Sequence, residues 1–285
     1  MKKLMMIVLT LVLALGGLTA CGGEAPADEE ASGEVSGKVV IAGSTSVQPL
    51  SEELAAVFMD INPGITIEIQ GGGSGVGVKA ATDKIADFGA SSRNLKDEEK
   101  ANITDEYVIA KDGIAVIANS AVSVEDITIE QAQKIFTGEI TNWKELGGAD
   151  AEIVVVSREE GSGTRGAFTE ITKVLAKDAS GNEVDNTTGN ALVQPSTGAV
   201  KQTVANTPNA IGYCSIGALD DSVKSVKIEG ADATEANVLA GDYKISRPFI
   251  YIANGELSEA AKMYLDFVMS EEGQAIVAED FIPVL

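Results

Sequence analysis

The stretch Ser157-Arg158-Glu159-Glu160-Gly161-Ser162-Gly163-Thr164-Arg165 brings a guanidinium, hydroxyls and glycines into one short run. It follows an apolar segment, Ile153 to Val156, and precedes a helical pattern predicted from Ala167 to Leu175. A strand that turns through glycines into a helix aims free backbone N–H groups at one point. Those groups and the positive end of the helix dipole make an anion site. Arg158 adds a rigid fork of donors suited to a tetrahedral oxyanion. Two more turns repeat the chemistry, Gly43-Ser44-Thr45-Ser46 and Gly71-Gly72-Gly73-Ser74-Gly75-Val76-Gly77. Ser46 and Ser74 are the expected helix caps there, with Pro49 inside the first turn. All three turns follow the carboxyl ends of predicted strands, where open α/β sheets bind ligands.

A fourth element, Asp87-Phe88-Gly89-Ala90-Ser91-Ser92-Arg93, carries a carboxylate. Inside an anion site a carboxylate is a selectivity device. It accepts the hydrogen of hydrogen phosphate and repels sulfate, which has none to give. Catalysis is not expected. The chain has no histidine, so Ser-His-Asp and Cys-His nucleophile systems are excluded and zinc catalysis is disfavoured. No metal site or cofactor is expected either. Around Gly72 to Lys79, Val78 separates Gly77 from Lys79 and Ala80 follows, so the P-loop spacing fails. Ser74 and Ser162 do not satisfy G-x-S-x-G. A phosphoryl-transfer or hydrolytic enzyme and a structural surface protein are the competing classes.

The elements that must position these turns alternate between strand and helix. The pattern predicts strands at Lys38–Ala42, Ile65–Ile69, Ile85–Ala90, Ile153–Val156 and Ala210–Ser215. It predicts helices at Glu52–Ile61, Val76–Thr82, Thr128–Phe136, Ala199–Ala205, Ser258–Met269 and Glu272–Ala278. Such alternation implies α/β layers with largely parallel sheets. Two long β segments, Tyr107–Asn119 and Ile245–Ile252, bracket the middle block. They suggest two lobes joined by two crossovers, with the ligand cleft between them. One lobe is assigned to residues 38–112 plus 248–285 and the other to 113–247.

Lys2 and Lys3, an apolar run from Leu4 to Leu15, and Leu18-Thr19-Ala20-Cys21 read as a bacterial lipoprotein signal over residues 1–20. Cys21 would carry the lipid, anchoring the protein to the cell membrane on its extracytoplasmic face. Residues 21–37 read as an acidic flexible linker. With Cys21 lipidated, Cys214 has no partner and its apolar setting marks it as packing. The formal net charge of −22 argues against nucleic acid as a partner. Trp143 is read as packing rather than a stacking platform.

Taken in order along the chain, these turns resemble the phosphate-binding lipoproteins of bacterial phosphate ABC importers. Thr137-Gly138-Glu139-Ile140-Thr141-Asn142-Trp143 and Ala210-Ile211-Gly212-Tyr213 share the resemblance, which spans essentially the whole mature chain. It implies a type II periplasmic-binding-protein fold with a hinge, a monomer that closes over one inorganic phosphate and delivers it to a membrane permease. Residue by residue, it implies that Thr45, Ser46 and Ser74 give donors from the first lobe and that Asp87 accepts the ligand's hydrogen. Arg158 gives a charged fork steadied by Glu160, and Ser162, Gly163 and Thr164 supply the helix start. Arg93 and Arg165 are assigned to salt bridges, with Ser91 and Ser92 as secondary contacts. Another oxyanion, sulfate, molybdate or tungstate, is the rival ligand.

Overall fold

A computed structural model describes residues 35–285. The signal segment 1–20, Cys21 and linker residues 22–34 lie outside them. The linker ends earlier than its composition suggests, because Gly37 already opens the first strand and Val35 packs against a core.

The first half of the chain runs β1 (Gly37–Gly43), α1 (Gln48–Ile61), β2 (Ile65–Gly71), α2 (Ser74–Thr82), β3 (Phe88–Ser91), α3 (Asp97–Lys100), β4 (Asp105–Ala118), β5 (Asp126–Ile127) and α4 (Ile129–Thr137). Then come β6 (Val154–Arg158), α5 (Gly163–Ile171), β7 (Leu175–Lys177), β8 (Glu183–Asp185), β9 (Leu192–Gln194) and α6 (Thr197–Asn206). The chain closes with β10 (Ala210–Ser215), β11 (Lys224–Ile228), α7 (Glu235–Ala240), β12 (Ser246–Ala253), α8 (Glu259–Val268) and α9 (Glu271–Asp280).

The main path of strands is β2-β1-β3-β12-β4-β10-β6-β9, with β11 added against β4. Strands β1, β2 and β3 are parallel, as are β10, β6 and β9. Strand β4 joins the two sets. Its first part pairs antiparallel with β12, from Asp105 opposite Ala253 to Gly113 opposite Ser246. Its second part pairs antiparallel with β10, from Ile114 opposite Ser215 to Ala118 opposite Ile211.

Two hydrophobic cores sit on either side of this junction. One gathers Val39 through Ala110 with Phe249 through Phe281, around Phe58, Phe88, Tyr251 and Tyr264. The other lies wholly between Ile114 and Ile245, around Phe136, Trp143, Phe168 and Tyr213. Trp143 is buried in the second core and its indole N–H donates to the Asn209 carbonyl at 3.0 Å, as packing requires. Cys214 is fully buried there too, and burial pushes its thiol up to about 12.

The helix predicted from Ala167 to Leu175 stops at Ile171. Thr172 donates its hydroxyl back to the Phe168 carbonyl at 2.7 Å, and Lys173 turns the chain left-handed at φ 64°. Leu175 then opens the β7–β8 hairpin.

Candidate functional site

The carboxyl ends of β1, β3, β6 and β9 converge, and four helices begin there. The starts of α1, α2, α5 and α6 bring Ser46, Ser74, Thr164 and Thr197 to one buried place, each at most 5 % exposed. Four helix N-termini aimed at one volume supply positive potential without a formal charge. The hydroxyls lie within bonding reach of one another: Ser46 Oγ is 2.9 Å from Thr164 Oγ1 and 3.0 Å from Thr197 Oγ1. Thr45 Oγ1 is 3.3 Å from Thr197 Oγ1 and also accepts the Thr197 amide at 3.3 Å. Helices that pack on the two different cores, α1 through Leu50 and α5 through Phe168, therefore meet here at their starts.

Ser46 and Ser74 are not the caps that their positions suggest. The N-cap of α1 is Val47 and that of α2 is Gly73, neither of which carries a polar side chain to cap with. The residue before α1 that does the capping work is Ser44, whose Oγ accepts the amides of Ser46 and Val47 at 3.2 and 3.4 Å. Ser46 and Ser74 thus keep their hydroxyls for the cleft. Ser162 does the reverse. It is the N-cap of α5, with Oγ accepting the Arg165 amide at 3.2 Å. Gly163 follows, and a methyl there would collide with Ser74 Oγ and stand 2.6 Å from Ser92 Oγ. Only glycine lets the α5 turn approach the first core so closely. Across the same seam the Gly75 amide donates to the Gly161 carbonyl at 2.9 Å.

Arg158 is 2 % exposed and reaches into this cluster. Its Nη1 donates to Thr197 Oγ1 at 3.3 Å and its Nη2 to Thr45 Oγ1 at 3.2 Å. Glu159, not Glu160, steadies it: Nε and Nη2 each donate to a Glu159 oxygen at 2.8 Å. Glu160 lines an outer groove with Arg93 and Arg165 instead. From below, the Arg158 amide donates to the Tyr213 hydroxyl at 3.3 Å, and Ser157 Oγ lies 2.8 Å from that hydroxyl. Tyr213 stacks on Phe168 at 4.2 Å, so an aromatic core fixes the strand that presents the guanidinium. Burial pushes the Tyr213 phenol up to about 12, and it stays a neutral partner.

Asp87 does not join the cluster. It sits before β3 at the strand's amino end, and its Oδ2 accepts the Val40 amide at 2.8 Å. The cleft lies past the other end, roughly 13 Å along the strand by its rise per residue. Asp87 lines a separate cavity of about 280 Å³ with Lys84, Asn254 and Gly255. The residue that leaves β3 toward the cluster is Ser92, fully buried, whose Oγ accepts from Ser44 Oγ at 2.9 Å and lies 3.4 Å from Ser74 Oγ. Ser91 turns away and donates to the Arg93 carbonyl at 2.9 Å. Arg93 and Arg165 do form salt bridges, to Glu99 and Asp185, each at 2.7 Å. Thr197 went unpredicted, although Ser196-Thr197-Gly198 is one more Ser/Thr/Gly turn between a strand and a helix.

Behind the cluster, Asp112 on β4 and Arg247 on β12 form a pair only 1 % exposed on either side chain, with Nη2 to Oδ2 at 3.0 Å. Ser215 donates to the other carboxylate oxygen at 2.8 Å. A cavity of about 240 Å³ runs from Thr45, Ser46 and Thr197 to Ser215. Among the described residues, no group of acids, cysteines or histidines is placed to hold a metal ion.

Two cores joined by paired crossovers, with a polar, cation-bearing cleft at the strand ends, define a two-lobe solute-binding protein. The family model described as PBP superfamily domain matches residues 28–272. The phosphate-binding protein PstS of Bacillus subtilis is 34% identical over 296 residues, covering 100% of this chain and 95% of the relative. A structure from Clostridium perfringens, described as a phosphate ABC transporter substrate-binding protein with bound phosphate, is 46% identical with a TM-score of 0.82. It is matched over 87% of this chain and 100% of that one. An ABC-type phosphate transport receptor from Vibrio cholerae is 34% identical, with a TM-score of 0.71 over 86% of this chain and 100% of its own. The chain belongs to the PBP superfamily and, within it, to the PstS phosphate-binding proteins.

Proposed function

We propose that this protein captures inorganic phosphate between two lobes, residues 38–112 with 248–285 and residues 113–247, and hands it to the membrane permease of an ABC importer. The observation that carries this reading is the convergence of four helix starts on Arg158 and a ring of buried hydroxyls. Thr45, Ser46, Ser74, Ser92, Arg158, Gly163, Thr164 and Thr197 form the binding surface. Ser162 supports it by capping α5. The relatives' names and the bound phosphate of the Clostridium perfringens structure support the ligand and the transport role.

Electrostatics favour an anion held by dipoles. Arg158 and Glu159 cancel in formal charge, so the helix starts and hydroxyls carry the attraction. Charge-assisted hydrogen bonds contribute roughly 1.5–3 kcal/mol each, enough in concert to offset desolvation and closure. Phosphate is bound and released unchanged, since the cleft presents no histidine and no free nucleophile–base pair. The crossovers at β4 and β12 serve as the hinge. The protein acts as a monomer outside the cytoplasm, tethered through lipid on Cys21. Among the described residues no helix is long and apolar enough to cross a membrane.

Titration calorimetry of the de-lipidated mature chain with phosphate tests the reading. Saturable binding of one phosphate per chain is expected. No binding, or steady release of phosphate from a phosphate ester, would overturn it.

A further inference from the structure

Resting on the phosphate reading, we infer that Arg165 and Asp185 are positioning residues that tune phosphate affinity from outside the cleft, acting through the peptide bond between Arg158 and Glu159. Those two residues are neighbours in sequence, so the plane of the peptide that joins them fixes how the guanidinium and its clamping carboxylate face each other. That peptide is pinned on both sides. Its carbonyl, on Arg158, accepts from Arg165 Nη1 at 2.8 Å, and its N–H, on Glu159, donates to the Gln194 carbonyl at 3.2 Å. The second bond continues the pairing of β6 with β9. The first comes from a side chain on α5, the helix that starts at the cleft.

Arg165 is itself held at backbone and tip. Its amide donates to Ser162 Oγ at 3.2 Å, the same cap that starts α5. Its Nε donates at 2.7 Å to Oδ2 of Asp185, which closes the β7–β8 hairpin opposite Leu175. The other carboxylate oxygen accepts the Thr187 amide at 2.9 Å and the Thr187 hydroxyl at 2.6 Å. Each oxygen of Asp185 therefore has its own partner, and the planar guanidinium of Arg165 spans from hairpin to strand in a fixed geometry. The pair is partly exposed, 15% for Arg165 and 28% for Asp185, so it adds little to folding. Its formal charges cancel, so it adds little potential to the cleft either. What it supplies is orientation. With the Arg158 carbonyl held, the Arg158 fork stays aimed between Thr45 and Thr197 and is preorganised for an anion.

The test is titration calorimetry with phosphate, at one ionic strength, on the wild-type chain, on Arg165→Lys and on Asp185→Ala, with urea denaturation of each in the absence of phosphate. Lysine keeps the charge but is a single point donor without the fork, and phosphate is expected to bind about tenfold more weakly. Asp185→Ala separates orientation from charge by sign. Removing a carboxylate near an anion site tightens binding if charge alone matters. Loosened positioning weakens it instead, and a loss of about threefold is expected. Urea midpoints should shift only slightly in both variants. An Asp185→Ala variant that binds phosphate as tightly as the wild type, or more tightly, overturns the assignment. So does an unchanged Kd in Arg165→Lys, or a fall in affinity matched by an equal fall in unfolding free energy. Either variant decides the matter if the other does not fold. Failure of the wild type to bind phosphate at all would instead sink the functional reading itself.

Discussion

Arg158 and Arg247 are both buried, and both are paired with a carboxylate, yet they are built for different tasks. Arg158 splits its donors between Glu159 and two threonine hydroxyls that come from different turns, Thr45 and Thr197. Hydroxyls rotate, so these bonds can be exchanged for bonds to an anion at little cost. Arg247 has no such freedom. It is opposite Asp112 in the β4–β12 ladder, its Nε and Nη2 both point at Asp112 Oδ2, and its Nη1 has no hydrogen-bond partner. Its Cζ lies 5.4 Å from the centre of the Phe249 ring, which takes up part of the charge. One arginine sits among exchangeable partners and the other is locked where the two cores are joined. The first is a binding group, the second a joint.

The sharpest break of that contrast is Asp112→Ala. It leaves the Arg247 charge buried without compensation, and loss of about 3–5 kcal/mol of unfolding free energy is expected from urea denaturation. A loss under about 1 kcal/mol would mean that water reaches Arg247 and the joint is not sealed. Arg158→Met should act on the ligand instead. Two charge-assisted bonds disappear, and calorimetry should show phosphate bound at least about a hundredfold more weakly. Stability should change far less, because Glu159 is 28% exposed in its side chain and can hydrate once freed. Equal damage to folding by both variants would erase the distinction between the two arginines.

Thr197→Val sharpens it further. The side chain keeps its shape and loses only the hydroxyl shared by Arg158, Thr45 and Ser46. Phosphate affinity is expected to fall about tenfold, the worth of one hydrogen bond. An unchanged Kd would place Thr197 outside the binding surface.

The same residues show why parts of the cleft were legible in the sequence and parts were not. Ser/Thr/Gly turns between apolar strands and helices are local signals, so the places of Thr45, Ser46, Ser74 and Thr164 followed from short stretches of chain. Whether a serine caps its helix or faces the cleft depends on a shift of one residue, which periodicity does not resolve; Ser46 and Ser74 fell on one side and Ser162 on the other. Asp87 shows the same sensitivity on a larger scale. The strand was expected over Ile85–Ala90 and runs over Phe88–Ser91, so the carboxylate moved from the strand to its entry and Ser92 became the group at its exit. The choice between Glu159 and Glu160 rests on tertiary placement alone, since the two are neighbours of one type. The α/β order was readable because each long element repeats its apolar period. The two- and three-residue strands β5, β7, β8 and β9 are too short to show one.

Two less buried arginines extend the comparison to the outer groove, where the smallest effect is expected. Arg93 holds Glu99 through both terminal nitrogens at 2.7 Å, and Arg165 holds Asp185 at 2.7 Å while donating to the Arg158 carbonyl at 2.8 Å. Burial pushes the Glu99 carboxyl up, but the Arg93 hydrogen bonds and the Lys96 amide outweigh it and hold the group below its ordinary range. Asp185 is likewise pushed up by burial and brought below its usual value by Thr187 and Arg165. In both cases the unfolded chain takes up the proton first as pH falls. The stabilisation is therefore complete above the ordinary carboxylate pKa, about 4, and drains away as pH drops through the lower folded values. Each pair is partly hydrated and should contribute only about 1 kcal/mol. Urea denaturation of the wild type and of Glu99→Gln from pH 7 down to pH 3 checks this: the variant starts less stable and loses less on acidification. Parallel acid limbs would show that Arg93 and Glu99 pair without stabilising the fold.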